Sequence, residues 1–396
     1  MRTLCSRPFA VASLAIGALT LSALQTQGAD FTQTNLVSTI PGLAKITDPQ
    51  LVNPWGVAPS ASGLLSANNG GDMANVNPTG NATLYTVTDK TTVSKVNINP
   101  PTGFIAIPTI PPGCGAPPAP PCAGPQGTTG TVNNTNTSSF PVAKNTGGDG
   151  NSAQFIFANL NGTISAWDAG PTAFVQNTGA TGTRYTGLAI NHAQTVLYAA
   201  NHGLGRIDVF DKNFVVITLS PDKFVDPLLP TQTPPLVPFN VQQIDGKVYV
   251  VYAPQGGDPV TSGADLGQGA VAVFDEDGNF IQEIVVGSRL ASPWGITFAP
   301  PSFRRFSNTL LVGNFSFKHS EINAFIPANG KLHGTIPIDI GGCKPTPCSA
   351  GGLWAIFFGA GGNNGSPHVL YFFNGINGEN DGLFGAIDAH GATPTH

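Results

Sequence analysis

The chain has 396 residues, a net charge of −5 and only 10% charged residues. Lys and Arg are nowhere clustered, which excludes nucleic acid and anionic membrane as partners, since both require a concentrated basic surface. The 49 Gly and 35 Pro favour many short strands joined by tight turns, no segment carries a convincing amphipathic pattern of helical period, and toroidal all-β repeats reach this length as one domain.

Residues 1–29 have the layout of a signal peptide. Arg2 and Arg7 precede an apolar run from Phe9 to Leu24, and Thr26-Gln27-Gly28-Ala29 supplies small residues for cleavage. The run is short for a membrane anchor and no basic residues follow it, so a secreted mature chain without a membrane span is expected. Cysteine usage agrees. With Cys5 inside the signal, Cys114 and Cys122 form one close pair, and Cys343 and Cys348 another. Two small disulfide-closed loops fit an oxidising compartment; a four-thiolate zinc site is the alternative, at spacings unlike C-x-x-C.

Phe31 to Ile40 is a lone strand stopped by Pro41-Gly42. After it, one order of segments recurs six times: a turn launching an apolar strand, a second apolar strand ending in or near Asn, a polar loop, and an alternating third strand. The first unit opens at Asn53-Pro54-Trp55-Gly56, with strands near Leu64–Ala67, Ala82–Val87 and Thr92–Ile98. The second opens at Pro101 to Ile105, is interrupted from about 106 to 151 by a Pro/Gly/Thr/Asn-rich surface insertion, and resumes at Ala153 to Asn159 and Gly162 to Asp168. The third and fourth open at Tyr185 and Pro238, and the fifth is Pro293-Trp294-Gly295 followed by Leu310 to Asn314 and Glu321 to Phe325. The sixth, from Gly352 to Ile387, has three strands. The unassigned Phe31–Ile40 strand supplies its missing outer one. The fold class is therefore all-β, a six-bladed β-propeller over 30–390 closed by its N-terminal strand, with 391–396 as a flexible tail. A monomer is expected.

In a propeller, the start of each innermost strand and the loop after each second strand share one face. That face gathers Asn53, Asn159, Asn201 with His202, Asn240, Asn314, and Asn374 with Asn377 and Glu379. Amide and carboxylate oxygens suit a hard cation such as Ca²⁺, which could polarise a carbonyl or activate water; Asn at a strand end equally caps its own turn. The metal candidates are Asn201, Asn240, Asn314 and Glu379, and the candidate acids or bases are Glu379, Asp381 and His202. His319, beside Lys318 and Glu321, and Asp258 and Asp265 carry the same ambiguity between site and solvated loop. Trp55, Phe239, Trp294 and Trp354 recur at unit starts, as core wedges or as a stacking platform. No Gly-x-Ser-x-Gly elbow, phosphate loop, His-Glu-x-x-His or haem-attachment pair is present.

The ordered motifs Leu51-Val52-Asn53-Pro54-Trp55-Gly56, Gly162-Thr163-Ile164-Ser165-Ala166-Trp167, Leu197-Tyr198-Ala199-Ala200-Asn201, Pro238-Phe239-Asn240-Val241-Gln242, Leu311-Val312-Gly313-Asn314-Phe315 and Gly382-Leu383-Phe384-Gly385 closely resemble a family of exported bacterial proteins known only as conserved hypothetical. The resemblance covers the mature chain and implies no activity. That family carries a His where this chain has Asp381. More remotely the units are similar to NHL-repeat and gluconolactonase-type propellers, some of which hydrolyse lactones with Ca²⁺ or Zn²⁺ in the channel while others bind partners. Three functions follow as expectations: a scaffold binding a small molecule, glycan or protein through its rim loops; a metal-dependent lactonase-like hydrolase; and a structural or matrix protein.

Overall fold

The computed structural model describes residues 31–70, 80–99, 101–107, 127–338 and 352–390. Six sheets follow one another around a central axis, antiparallel except where the two-residue strand Ile46–Thr47 pairs parallel with Phe31–Ser38. From the axis outward, blade one is Pro54–Ser60, Gly63–Asn68, Gly80–Thr88 and Thr92–Val96. Blade two is Thr128–Asn133, Phe155–Asn159, Thr163–Trp167 and Phe174–Thr178, and blade three is Tyr185–Ile190, Val196–Asn201, Arg206–Asp211 and Val216–Ile217. Blade four is Leu236–Ile244, Lys247–Pro254, Ala270–Asp275 and Phe280–Val286, and blade five is Pro293–Phe298, Leu310–Asn314, Glu321–Phe325 and Leu332–Pro337. Blade six is Leu353–Phe358, Val369–Asn374 and Leu383–Ala389, completed by the N-terminal strand Phe31–Ser38.

Closure of the ring is therefore as expected. Phe31–Ser38 runs antiparallel to Leu383–Ala389, with Phe31 opposite Ala389 and Ser38 opposite Leu383. Leu36 and Val37 are fully buried, and two hydroxyl bonds fix the join: Ser38 Oγ donates to the Gly382 carbonyl at 2.8 Å and Thr39 Oγ1 to Asp381 Oδ1 at 2.7 Å.

Blade two corrects the sequence reading. Its innermost strand is Thr128–Asn133, inside the stretch assigned to a surface insertion, whereas Ile105–Ile107 pairs with the third strand of blade one. Composition misled, because a Thr-Thr-Gly-Thr-Val run is a good strand without a large side chain: the β-branched residues favour extended backbone and the Gly allows close packing. Thr128 and Thr129 are fully buried, as are Phe140 and Val142 further along the same stretch. Both cysteine pairs, the signal segment and the tail lie outside the described residues.

Each innermost strand contains an irregularity that its sequence does not advertise. Pairing with the second strand slips between Pro54 and Gly56, Thr128 and Thr131, Tyr185 and Gly187, Pro238 and Asn240, Pro293 and Gly295, and Leu353 and Ile356. A bulge of this kind re-aims the extra residue. In five blades that residue is Trp55, Thr186, Phe239, Trp294 or Trp354, and Thr129 occupies the step in blade two. Directly after it comes a residue that faces the next blade's inner strand. A Cβ on Gly56 would stand 2.7 Å from the Thr129 carbonyl oxygen, one on Gly130 2.4 Å from the Leu188 nitrogen, and one on Gly295 2.3 Å from the Trp354 carbonyl oxygen. Blade four has Asn240 at this position, and its amide spans the gap by donating to the Trp294 carbonyl at 2.9 Å.

This close approach is directly testable. Gly295→Ala should cost about 2–4 kcal/mol in urea unfolding, because its methyl meets backbone rather than a movable side chain; a loss below about 0.5 kcal/mol would show that the inner strands are not packed to this limit.

Candidate functional site

The aromatic residues re-aimed by the bulges meet on the axis. Trp55 stacks on Trp354 with ring centres 3.4 Å apart and planes 19° apart, and Phe315 lies on Trp354 at 4.1 Å and 21°. Trp294 stands edge-on to Trp354 at 5.7 Å, and Phe239 closes the set at 6.1 Å. These contacts add stacking energy, of order 0.5–1.5 kcal/mol per pair, to the burial of large apolar faces. Their further consequence is geometric: they divide the channel in two.

Beyond the aromatic layer, toward the ends of the inner strands, lies a bore of about 300 Å³ lined by residues such as Val57, Thr131, Leu188, Gln242 and Ile356. No ionisable side chain lines it. On the opposite side, where the inner strands begin, the layer floors a cavity of about 40 Å³ lined by Asn53, Trp55, Arg184, His202, Phe239, Trp354 and Glu379, among others. That volume holds roughly two or three waters, or one head group. The bore is larger, but the titratable groups are at the mouth.

Three of the sequence-predicted polar residues take part in this mouth. Asn53 Nδ2 donates to Glu379 Oε1 at 3.0 Å while its Oδ1 accepts from Trp354 Nε1 at 2.8 Å. Asn53 and Glu379 are both buried and both in the left-handed region, at φ 45° and 67°, which Asn tolerates and Glu rarely adopts. His202 is buried beside Phe239, ring centres 5.1 Å apart. Its Nδ1 lies 3.1 Å from the Pro238 carbonyl oxygen, so Nδ1 carries the proton, and Nε2 accepts from the Gly256 amide at 3.4 Å. Burial lowers its pKa to about 4, partly offset by the Pro238 and Gly256 backbone contacts, with the Arg184 charge adding a smaller lowering. Asn240 lies below the aromatic layer, bound to Trp294 as above.

Most of the remaining residues are committed to partners in their own or the adjacent blade. Asn201 donates to Asp208 Oδ2 at 2.7 Å and accepts from the Arg184 and Leu204 amides. Asn314 accepts from the Ala291 amide and donates to the Arg289 carbonyl at 2.8 Å. Asn159 donates to Thr163 and Ser165, and Asn377 to Asp381 at 2.9 Å. Asn374 is buried with its Oδ1 unpartnered. Asp381 accepts from Thr39 at the ring closure. Lys318 pairs with Asp265 at 3.0 Å, and Glu321 is held by Arg289 through two bonds of 2.9 and 2.8 Å. The oxygens of Asn201, Asn314 and Glu379 therefore do not surround a common point, and among the described residues no three His, Cys, Asp or Glu side chains gather as a metal cluster.

Sequence reasoning missed Arg184 and the polar edge of Trp55. Of the four tryptophans, Trp167 Nε1 donates to Gly170 O, Trp294 Nε1 to Thr186 O and Trp354 Nε1 to Asn53 Oδ1, each at 2.8 Å. Trp55 Nε1 is buried and has no acceptor among the described residues. A buried donor left unpaired costs about 1–3 kcal/mol, and a fold that satisfies three indoles leaves the fourth unpaired only here, in the residue that lines the mouth.

Fold and site together define a six-bladed β-propeller whose channel is closed by aromatic side chains under a small polar mouth. No protein-family model matches the chain. Two uncharacterized proteins of Acanthamoeba polyphaga mimivirus are similar to it: one is 29% identical over 364 residues, 89% of this chain and 78% of its own, and the other 28% identical over 312 residues, 76% and 72%. These relatives are viral, so the bacterial and exported character implied by the motif resemblance gains no support from them. Among solved structures, a streptogramin B lyase is 12% identical at TM-score 0.48, covering 91% of this chain and 98% of its own. A gluconolactonase from Xanthomonas campestris is 18% identical at TM-score 0.35, covering 59% and 82%, and a chain of a nidogen/laminin complex is 14% identical at 0.40, covering 74% and 86%. None of them gives a residue of this chain a role.

The buried, neutral His202 makes stability depend on pH with a defined sign. The unfolded chain protonates it near 6.5 and the folded chain only near 4, so its contribution is complete above pH 6.5 and is lost as the pH falls toward 4, about 3 kcal/mol in all. Urea unfolding between pH 7 and 5 should show this slope in the parent and a flatter one in His202→Gln; equal slopes would place His202 outside the linkage.

Proposed function

We propose that the protein is a binding propeller whose mouth takes a small ligand bearing a carboxylate or carbonyl oxygen, with the body of the ligand resting above. The observation that carries this reading is that Trp55 lines a cavity sized for one head group while its buried Nε1–H finds no acceptor among the described residues. Arg184, half-buried at the same cavity, adds positive charge, and among the described residues no carboxylate forms an ion pair with it. His202, held neutral, presents no competing proton. Indole N–H and guanidinium together select an oxygen acceptor, and charge-assisted bonding from Arg favours an anionic one. The lactonase-like alternative loses its ligand set, because two of its three Asn side chains are committed inside their own blades. The apolar N-terminal run and the paired cysteines support an extracellular place of action.

The test is a screen of small monocarboxylates and amides by calorimetry on the full chain. Binders should share the oxygen acceptor and lose roughly tenfold or more in affinity in both Trp55→Phe and Arg184→Gln, the loss of one charge-assisted bond. Ligands that bind both variants as well as the parent would place recognition elsewhere.

A further inference from the structure

Away from the mouth, between blades three and four, three buried oxygens on three different elements find no partner outside their own group among the described residues: Asp226 Oδ2, Tyr252 Oη and Glu283 Oε2, and the two carboxyls lie close enough together to share a proton. The strand register explains why they meet. Tyr252 on the second strand of blade four stands opposite Ala270, and Glu283 on the outermost strand stands opposite Ala272. Residues 270 and 272 share one face of the sheet, so Tyr252 and Glu283 do as well, with only the small side chains of two alanines opposite them. That face packs toward blade three, with Tyr252, Ala270 and Ala272 in one cluster with Tyr198, Ile207 and Phe224. Asp226 reaches it from the connection between the blades. Its Oδ1 accepts from the Leu228 amide at 2.9 Å, which fixes the carboxyl, and the Phe224 amide ties the connection to the Gly278 carbonyl at 2.8 Å.

We propose that Asp226, Glu283 and Tyr252 form a binding site for one hard divalent cation of the Ca²⁺ type, which clamps the connection between blades three and four onto the outer strand of blade four. Two carboxylates brought together, Asp226 buried and Glu283 half-buried, repel each other when both are ionised, and a buried charge must be compensated. Among the described residues no Lys, Arg or His pairs with either of them, and the nearest-placed base in the connection, Lys223, is bound to Asn279. A divalent ion balances the two charges, and oxygen ligands are what Ca²⁺ takes. Tyr252 supplies the independent sign that the pocket is built for a guest: it is 2% exposed, and its hydroxyl bonds neither carboxyl. The titration of the groups agrees with their mutual placement. Burial raises both carboxyls; the Leu228 amide and the contact with Glu283 partly offset this in Asp226, while the Asp226 charge and the same contact raise Glu283 further, and the Tyr252 phenol is raised first by burial and then by both carboxylates.

The experiment uses the full chain after chelation, with Ca²⁺ as the probe in a thermal titration at pH 7.5 and Tb³⁺ as a luminescent reporter excited through Tyr252. One equivalent should bind, Tm should rise by roughly 5 °C at a hundredfold excess over Kd, and Tb³⁺ emission should appear with the same stoichiometry. In Glu283→Gln and Asp226→Asn, which keep the shape and remove the repulsion, Tm without metal should be unchanged or higher, and Ca²⁺ affinity should drop at least tenfold. Should either variant fail to fold, Tyr252→Phe provides the second reading through loss of the sensitised emission. A parent chain that binds neither ion, or variants that bind as tightly as the parent, would overturn the site. So would a chain stabilised only by lowering the pH from 8 to 6, since the two carboxyls would then share a proton instead.

Discussion

Everything else in this propeller depends on how closely its six inner strands approach one another around the axis. At Gly56, Gly130 and Gly295 the backbone of one blade touches the backbone of the next within the space a methyl group would occupy. Packed this tightly, the strands leave room for large side chains only where the bulges turn them onto the axis. The aromatic layer is thus a product of the backbone geometry: where Gly56 and Gly295 let the strands close up, the preceding Trp has one direction left.

That layer gives the two ends of the channel different chemistry. One end is a neutral bore faced by alternating apolar and amide side chains. The other is a shallow mouth in which a histidine is held uncharged, Asn53 and Glu379 are held in left-handed backbone conformations, and an indole donor is unpaired. Such departures from low-energy local structure persist where surrounding contacts over-determine them, and they concentrate at sites of recognition. Here the surrounding contact is Asn53, whose amide joins Glu379 to Trp354. Asn159, Asn201 and Asn314 do the commoner thing and hold the turns beside them, and Asn240 ties two inner strands together, so the repetition reflected the fold and the arrangement at Asn53 reflected the site.

Much of the fold was legible because propeller blades repeat. Apolar second strands ending near Asn, and third strands in inside/outside alternation, marked the blades, and the three-strand remainder at the C-terminus required a partner that Phe31–Ser38 supplies. Blade two was misread because Thr128–Asn133 buries hydroxyls and backbone where the other inner strands bury rings: Thr129 Oγ1 donates to the Tyr185 carbonyl at 2.9 Å. The site was half legible. Asn53, Glu379 and His202 stood out as polar residues at strand ends, but the partners of Trp55 depend on which way a bulge turns it, which no periodicity encodes. Asp226, Tyr252 and Glu283 were invisible for a related reason, being brought together by register across three elements and separated in sequence by ordinary strand residues.

The central claim, that the mouth offers a buried donor that the protein itself does not satisfy, is most directly tested by the indole N–H resonances of the ligand-free, ¹⁵N-labelled chain, assigned by the peak lost in Trp55→Phe. The account predicts that Trp167, Trp294 and Trp354 fall in the hydrogen-bonded range with small temperature coefficients, while Trp55 stands apart upfield and moves when a carboxylate binds. A Trp55 resonance already in the hydrogen-bonded range, and indifferent to added carboxylates, would mean that the protein supplies its own acceptor and that the mouth is not a binding site of this kind.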